Sequence, residues 1–272
     1  MLVTGASRGV GRGIAIGLGE TGATVYLTAR STGGKRTVEL PGTLEETAER
    51  VEAAGGRAVP IVCDHRSDRE VREVLDRIRA EEGRLDVLVN NAWGGYEYIH
   101  RGEVHLIGAR FWARPLELWD EMMDVGPRSH FVASALAAPL MIERGRGLIV
   151  NVSSFAGLRY HGDLVYGIAK SATDRLARDM AEELREHGIA CVSLYPGLVR
   201  TESVLAAGVF DLSNSESPEF VGRAVAALAA DPNVLRRTGR VLVAAELAEE
   251  YGFTDIDGTR PVSLRPQFET PS

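Results

Sequence analysis

Two residues suited to proton transfer lie at helical spacing in the second half of the sequence. Tyr166 and Lys170 are four residues apart, so a helix would place both side chains on one face. An ammonium close to the phenol favours the phenolate and lowers the tyrosine pKa. Tyr166 could therefore donate a proton to a carbonyl or accept one from an alcohol. The same pair is also common on helix faces that only meet solvent.

A hydroxyl group is available at the end of the apolar segment that precedes this helix. The segment 148–152 is strand-like and leads directly into Ser153 and Ser154. A serine at this end of a buried strand can hydrogen bond the oxyanion that develops on a substrate. Its alternative role is to form the turn that ends the strand.

A glycine-rich turn near the amino terminus could bind phosphate. Residues 4–11 read Thr-Gly-Ala-Ser-Arg-Gly-Val-Gly and lie between a short apolar segment and an apolar helix. Glycines permit a tight turn and a close approach of the backbone to a pyrophosphate, which free N–H groups and the helix dipole then stabilise. A plain glycine-rich turn is the alternative, but the position at the first βα connection favours dinucleotide binding.

Arginines, and no carboxylate, follow the second strand-like segment. An acid at this place would bind the ribose 2′-hydroxyl of NAD, whereas arginine suits the 2′-phosphate of NADP. Arg30 follows segment 24–28, and Arg8 in the glycine turn can reach the same pocket. Two guanidinium groups favour NADP(H) over NAD(H), unless both are solvated surface residues.

Strand-like and helix-like segments alternate along the chain. Apolar runs without alternation indicate strands covered on both faces, and helical periodicity separates them. This order predicts an α/β fold: a Rossmann-type doubly wound parallel sheet in three layers (α/β/α), forming one domain over 1–272 with 246–272 as a carboxyl-terminal extension. Two longer segments, 31–43 and 93–115, are expected to shape the site. The predicted strands are 24–28, 58–63, 87–90, 148–152, 190–195 and 241–244.

Taken together, these motifs resemble the short-chain dehydrogenase/reductase family over about residues 3–244. The resemblance implies catalytic roles for Ser154, Tyr166 and Lys170. The family's usual spacing before the tyrosine would select Ser153, but the Ser-x-x-Gly pattern ending at Gly157 selects Ser154, which we prefer. The implied cofactor-binding residues are Gly5, Ser7, Arg8, Gly9, Val10, Gly11, Arg30, Asp64, Asn91, Tyr166, Lys170, Pro196, Gly197, Val199 and Thr201.

Two positions depart from the family pattern. Trp93 stands where the Asn-Asn-Ala-Gly motif, here beginning at Asn90, has glycine, so an indole is expected near the site. Gly126 stands where the family has an asparagine that kinks a helix and helps hold a proton-relay water. Gly126-Pro127 could still kink the helix, because proline removes an N–H and clashes with the preceding turn. We hypothesise that a freed backbone carbonyl then holds the water.

Composition excludes some partners and leaves others open. A net charge of −7 argues against nucleic-acid binding, which usually needs a basic surface. Cys63 and Cys191 lie in apolar runs and are expected to be buried and reduced. We expect no bound metal, no membrane association and a cytoplasmic location. The resemblance implies a homodimer or homotetramer and a mobile lid over 204–211.

The function predicted from the sequence is NADP(H)-dependent reduction of a carbonyl, or oxidation of the matching alcohol, on a small apolar substrate. The alternative is a catalytically weak dinucleotide-binding regulator or scaffold, which Gly126 at the usual asparagine position keeps open. The complete Ser–Tyr–Lys set argues against that alternative.

Overall fold

The computed structural model describes residues 1–95 and 109–269, and its centre is a seven-stranded sheet. The strands are β1 Leu2–Thr4, β2 Thr24–Ala29, β3 Arg57–Val62, β4 Val87–Asn90, β5 Gly147–Val152, β6 Ile189–Tyr195 and β9 Val241–Val243, with a separate pair β7 Leu198–Val199 and β8 Ser215–Glu216. The sheet order is β3-β2-β1-β4-β5-β6-β9, and every pairing is parallel. The strand order reverses between β1 and β4, as in a doubly wound sheet.

Helices cover both faces of the sheet and complete three layers. One apolar core lies between the sheet and helices α1 Gly9–Gly19, α2 Leu44–Ala53, α8 Pro218–Ala230 and α9 Ala244–Tyr251. The other lies beneath α3 Asp68–Glu82, α5 Ser129–Ile142 and α6 Leu164–Leu184. The described part also contains the short helices α4 Glu117–Met123, α7 Glu202–Ala207 and α10 Arg265–Glu269. The predicted fold class is confirmed.

Helices α1 and α8 meet at their backbones. A Cβ added to Gly17 would lie 2.5 Å from the carbonyl carbon of Gly222, and one added to Gly222 would lie 2.2 Å from the carbonyl oxygen of Gly13. Since real Cβ atoms do not approach backbone this closely, the contact requires glycine on both helices. It fixes α1, whose amino terminus carries the glycine turn.

The expectation that all strands are covered on both faces is wrong for β3. This strand forms one edge of the sheet, its residues are only partly buried, and Val62 keeps 61% of its surface exposed. An edge strand has one neighbouring strand, and the described helices do not cover its outer part. Apolar composition therefore overestimated the burial of β3.

The carboxyl-terminal segment packs back against the strand ends. Helix α9 follows β9 directly, and α10, which the sequence did not predict, ends the described part. Phe268 in α10 stacks on Phe155 with ring centroids 4.8 Å apart. Arg159 lies over the Phe268 ring at 5.0 Å. The extension therefore contacts the turn that follows Ser154.

Candidate active site

One cleft at the carboxyl ends of the parallel strands collects most of the predicted site residues. Those that line it are Gly5, Ser7, Arg8, Val10, Gly11, Arg30, Asp64, Asn91, Ser154, Tyr166, Lys170, Pro196, Gly197 and Val199. Of the predicted residues, Gly9 and Thr201 do not line the cleft. The cleft also contains Trp93, as expected, the alternative serine Ser153, and Ser31 and Thr37 from segment 31–43. The lining residues that were not predicted are Ala29, Cys63, His65, Ala92, Val125 and Val152.

The glycine turn forms a cradle with little room for side chains. A Cβ on Gly11 would lie 2.3 Å from the Gly5 carbonyl oxygen, so backbone rather than side chains forms this surface. Asn91 holds the turn by donating from Nδ2 to the carbonyls of Thr4 at 2.9 Å and Gly5 at 3.1 Å. The Gly9 N–H donates to a Glu202 carboxylate oxygen at 2.9 Å, which shows that an anion is accepted at the start of α1. The cradle therefore fits a pyrophosphate.

Thr201 caps α7, and the next residue, Glu202, contacts the glycine turn. The Thr201 hydroxyl accepts a hydrogen bond from the Val204 N–H at 3.3 Å. Glu202 also forms an ion pair with Arg12 of α1. Through these contacts the start of the segment predicted as a lid is joined to α1.

Arg8 connects the glycine turn to the extended loop after β2. Its guanidinium donates to the Ser31 hydroxyl at 3.0 Å and to the carbonyl of Gly42 at 3.1 Å. Gly42 has a φ of +108°, and a Cβ there would lie 2.4 Å from the Ser7 carbonyl oxygen. Glycine thus lets the loop lie directly on the turn. The Thr37 hydroxyl is 3.0 Å from that of Ser31, so this loop adds two hydroxyl groups to the cleft.

Arg30 and two residues after β3 line one part of the cleft. The guanidinium of Arg30 lies 3.6 Å from the carboxylate of Asp64. Beside it, the buried His65 ring lies 2.8 Å from the Thr28 hydroxyl. Burial lowers the pKa of His65 to about 4, so the ring is neutral at physiological pH. His65 was missed because a lone histidine after a strand carries no distinctive pattern.

Tyr166 is placed by the first turn of α6. Asp163 caps the helix by accepting from the Tyr166 N–H at 3.0 Å. The Trp93 ring meets the tyrosine ring edge-on, with centroids 5.5 Å apart, so the indole lies at the site as expected. The Ser154 side chain interacts with the phenol and lowers its pKa, and the Ser154 hydroxyl accepts from the Ala156 N–H at 3.3 Å. The hydroxyl and the phenol therefore lie together.

Ser153 takes a different direction from Ser154. Its hydroxyl donates to the backbone carbonyl of Lys170 at 3.3 Å, and the residue is almost fully buried. It also contacts the carboxylate of Asp174. Geometry thus favours Ser154 as the serine that meets the substrate, and Ser153 as part of the packing beneath α6.

Lys170 lies below the tyrosine ring rather than against its hydroxyl. The ammonium donates to the Val152 carbonyl at 2.9 Å and lies 5.5 Å from the centre of the Tyr166 ring. Burial lowers the pKa of Lys170 to about 8, and the negative charge of Asp174 opposes this shift.

The expected lowering of the tyrosine pKa is not observed. Burial raises the pKa of Tyr166, and the hydrogen bond from Ser154 opposes the rise. The physical reason is that desolvation of the phenol outweighs the effect of an ammonium whose hydrogen bond is directed at Val152. Tyr166 is accordingly held in its protonated form.

The predicted helix kink is confirmed at Gly126-Pro127. Val125 has φ −102° and ψ 70°, outside the helical region, between α4 and α5. The carbonyl of Val125 accepts from the Gly94 N–H at 2.9 Å, and that of Gly126 accepts from the Ser129 hydroxyl at 3.1 Å. Each of these two carbonyls accepts one protein hydrogen bond and keeps a second lone pair, so the hypothesis that a carbonyl at the kink holds a water stays a prediction.

Other predicted features have simple placements. Cys63 and Cys191 are buried and unbridged, as expected. Across residues 1–95 and 109–269, no group of histidine, cysteine and carboxylate side chains could hold a metal ion. In the same ranges, no helix has both the length and the apolar character needed to cross a bilayer. Most of the predicted loop 93–115 lies outside the described residues.

Known proteins with similar sequences share this architecture. A family model described as short chain dehydrogenase matches residues 1–208. Dehydrogenase/reductase SDR family member 1 of Mus musculus is 45% identical in an alignment of 276 residues. The alignment covers 96% of this chain and 84% of the mouse protein. The protein of the same name from Homo sapiens is 43% identical with the same coverage.

Solved structures agree with the sequence matches. A short chain dehydrogenase from Mycobacterium thermoresistibile aligns with a TM-score of 0.78 at 28% identity, covering 100% of this chain and 98% of that one. A short chain dehydrogenase from Mycobacterium paratuberculosis, solved bound to NAD, aligns with a TM-score of 0.73 at 28% identity, covering 89% of this chain and 94% of that one.

Proposed function

The chain belongs to the short-chain dehydrogenase family of NAD(P)-dependent oxidoreductases, and from this premise we propose that it uses NADP(H) to reduce a small apolar carbonyl or to oxidise the matching alcohol. The observation that carries the proposal is the meeting of Ser154 with the Tyr166 phenol, above Lys170, in the cleft that the glycine turn opens. Nicotinamide, when bound, supplies the hydride chemistry. The protein supplies position, charge and a proton.

The roles follow from the contacts. Tyr166 donates its proton to the substrate oxygen, since burial holds the phenol protonated. Ser154 hydrogen bonds the same oxygen as negative charge develops on it. The Lys170 ammonium stabilises the phenolate left behind, because a cation near a buried anion is weakly screened. Trp93 and Val125 line the same cleft, which supports an apolar substrate.

The preference for NADP(H) rests on the chain after β2. Arg8, Arg30, Ser31 and Thr37 all line the cleft, and no carboxylate follows the end of β2 at this position. Two guanidinium groups and two hydroxyls suit the 2′-phosphate, to which arginine can donate charge-assisted hydrogen bonds. The carboxylate of Asp64 lies near Arg30, so a bound phosphate would have to compete with it for the Arg30 guanidinium.

Consumption of NADPH and NADH, followed by absorbance across ketones, aldehydes and quinones, tests this function. We expect turnover with NADPH, and its loss by at least about a hundredfold in Tyr166→Phe. Tyr160→Phe is the matched control, because that tyrosine is 69% exposed in a loop. Undiminished activity in Tyr166→Phe would reject the proposed acid, and tighter binding of NADH than of NADPH would reject the cofactor assignment.

The assembly and location of the protein belong to the same proposal. We infer a homodimer or homotetramer in the cytoplasm, by analogy with the family. Light scattering after size-exclusion chromatography measures the first, and fractionation of cells measures the second. A monomer at micromolar concentration would contradict the expected oligomer.

A further inference from the structure

His130 lies beneath the site, one helical turn after the kink at Gly126. It belongs to α5 and is 3% exposed. Its Nε2 atom lies 3.2 Å from the carbonyl oxygen of Ala92. A carbonyl can only accept a hydrogen bond, so Nε2 carries the hydrogen and Nδ1 presents a bare lone pair. Within the described ranges, no donor meets this buried Nδ1 atom.

An acceptor without a donor in a buried place calls for a physical explanation. Burial, followed by the positive charge of Lys170, lowers the pKa of His130 to about 3, while the hydrogen bond to Ala92 opposes this shift. The ring therefore stays neutral and cannot carry a proton in the working pH range. Its remaining capacity is to accept a hydrogen bond at Nδ1.

A donor is available at the end of the neighbouring strand. Strands β4 and β5 are paired, with Asn90 opposite Asn151. The Ala92 carbonyl that holds His130 and the Val152 carbonyl that holds Lys170 therefore lie at adjacent strand ends. An ammonium has three N–H groups, and the structure directs one of those of Lys170 to Val152. At the kink, the Val125 carbonyl accepts one hydrogen bond from Gly94 and the Gly126 carbonyl accepts one from Ser129. A glycine at position 126 leaves open space, since an added Cβ would meet no atom within 4 Å.

We propose that His130 is a positioning residue whose Nδ1 atom accepts a hydrogen bond from the Lys170 ammonium through one water molecule. The bond anchors a second N–H of Lys170 and keeps the ammonium below the Tyr166 ring, where it stabilises the phenolate. The effect of this hydrogen bond on kcat rests on the proposed function. The fixed tautomer, set by Ala92, is what makes the ring a permanent acceptor.

Two isosteric variants separate this role from a structural one. His130→Asn keeps a polar oxygen near the position of Nδ1 but cannot reach Ala92. His130→Gln keeps a donor near the position of Nε2 but offers no acceptor in place of Nδ1. We expect kcat with NADPH to stay within about threefold of wild type in His130→Asn and to fall by about tenfold or more in His130→Gln, with little change in the KM for NADPH. Equal kcat values in the two variants, or a lower value in His130→Asn, would overturn the proposal.

An NMR measurement, which needs neither turnover nor a substitution of His130, tests the contact between His130 and Lys170 separately from the proposed function. In protein carrying ¹⁵N-labelled histidine, we expect His130 to show the Nε2–H tautomer, with an Nδ1 resonance typical of a hydrogen-bonded acceptor. That resonance should move downfield in Lys170→Met. An unchanged Nδ1 resonance would overturn the proposed contact. Absence of turnover in a wild type that shows the expected resonances would reject the proposed function and leave the contact standing.

Discussion

Replacing Gly17 by alanine should separate α1 from α8 and weaken cofactor binding. The new Cβ would lie 2.5 Å from the carbonyl carbon of Gly222, whereas ordinary contact begins at 3.4 Å. The helices must therefore move apart by about 0.9 Å, because neither atom belongs to a flexible side chain. Overpacking of this kind costs about 1–3 kcal/mol.

The expected loss converts to a measurable change in melting temperature. For a chain of this size, each kcal/mol corresponds to about 2 °C, so Gly17→Ala should melt about 2–6 °C below wild type. A shift of α1 also moves the turn that bears Gly9 and Gly11. Since misplacement by about 1 Å is costly for a preorganised site, the Kd for NADPH should rise by about tenfold.

Thermal unfolding by circular dichroism and NADPH titration by fluorescence measure both effects. Gly34→Ala is the matched control, because a Cβ there would meet nothing within 4 Å. If Gly17→Ala melts within about 1 °C of this control and binds NADPH equally well, the backbone contact between the helices does not limit stability and the reasoning fails.

Three further outcomes are expected. The kcat should decline as the pH rises through about 8, because Lys170 has a pKa of about 8 and loses the charge that stabilises the phenolate. A kcat that stays constant up to pH 10 would contradict this role. The free energy of unfolding should fall as the pH drops from 6.5 towards 4, because the pKa of His65 is about 4 in the folded protein and 6.5 in the unfolded chain. The unfolded state then binds the additional proton, and the loss reaches up to about 3 kcal/mol. Urea titrations should show a smaller pH dependence in His65→Asn. Finally, Arg30→Ala should weaken NADPH binding by about tenfold and leave NADH binding nearly unchanged, and an equal loss for both cofactors in titrations would show that Arg30 does not read the 2′-phosphate.

The residues with local patterns were the ones that sequence reasoning placed correctly. Tyr166 and Lys170 share a helix face because helical spacing decides it, and both line the cleft. The glycine turn was recognisable because its conformation demands particular residues over a short stretch. The parallel sheet was predictable because strands and helices alternate along the chain.

Contacts between distant segments were not accessible in this way. Segment 31–43 was expected to shape the site, but the sequence did not show that its Ser31 and Thr37 would line the cleft or that Gly42 would let the loop lie on the glycine turn. The stacking of Phe268 on Phe155 joins residues more than a hundred positions apart. No periodicity or motif encodes such contacts, because they depend on how complete layers pack.

The sequence by itself determined the family, the fold class and the identity of the groups that could do the chemistry. The tertiary structure decided their electrostatic state and orientation. It directed Lys170 at Val152, set Ser154 rather than Ser153 against the phenol and buried Tyr166 so that its pKa rises. The physical reason is that desolvation and hydrogen-bond direction depend on the three-dimensional surroundings of a side chain, whereas helical spacing and turn geometry depend on its near neighbours in the chain.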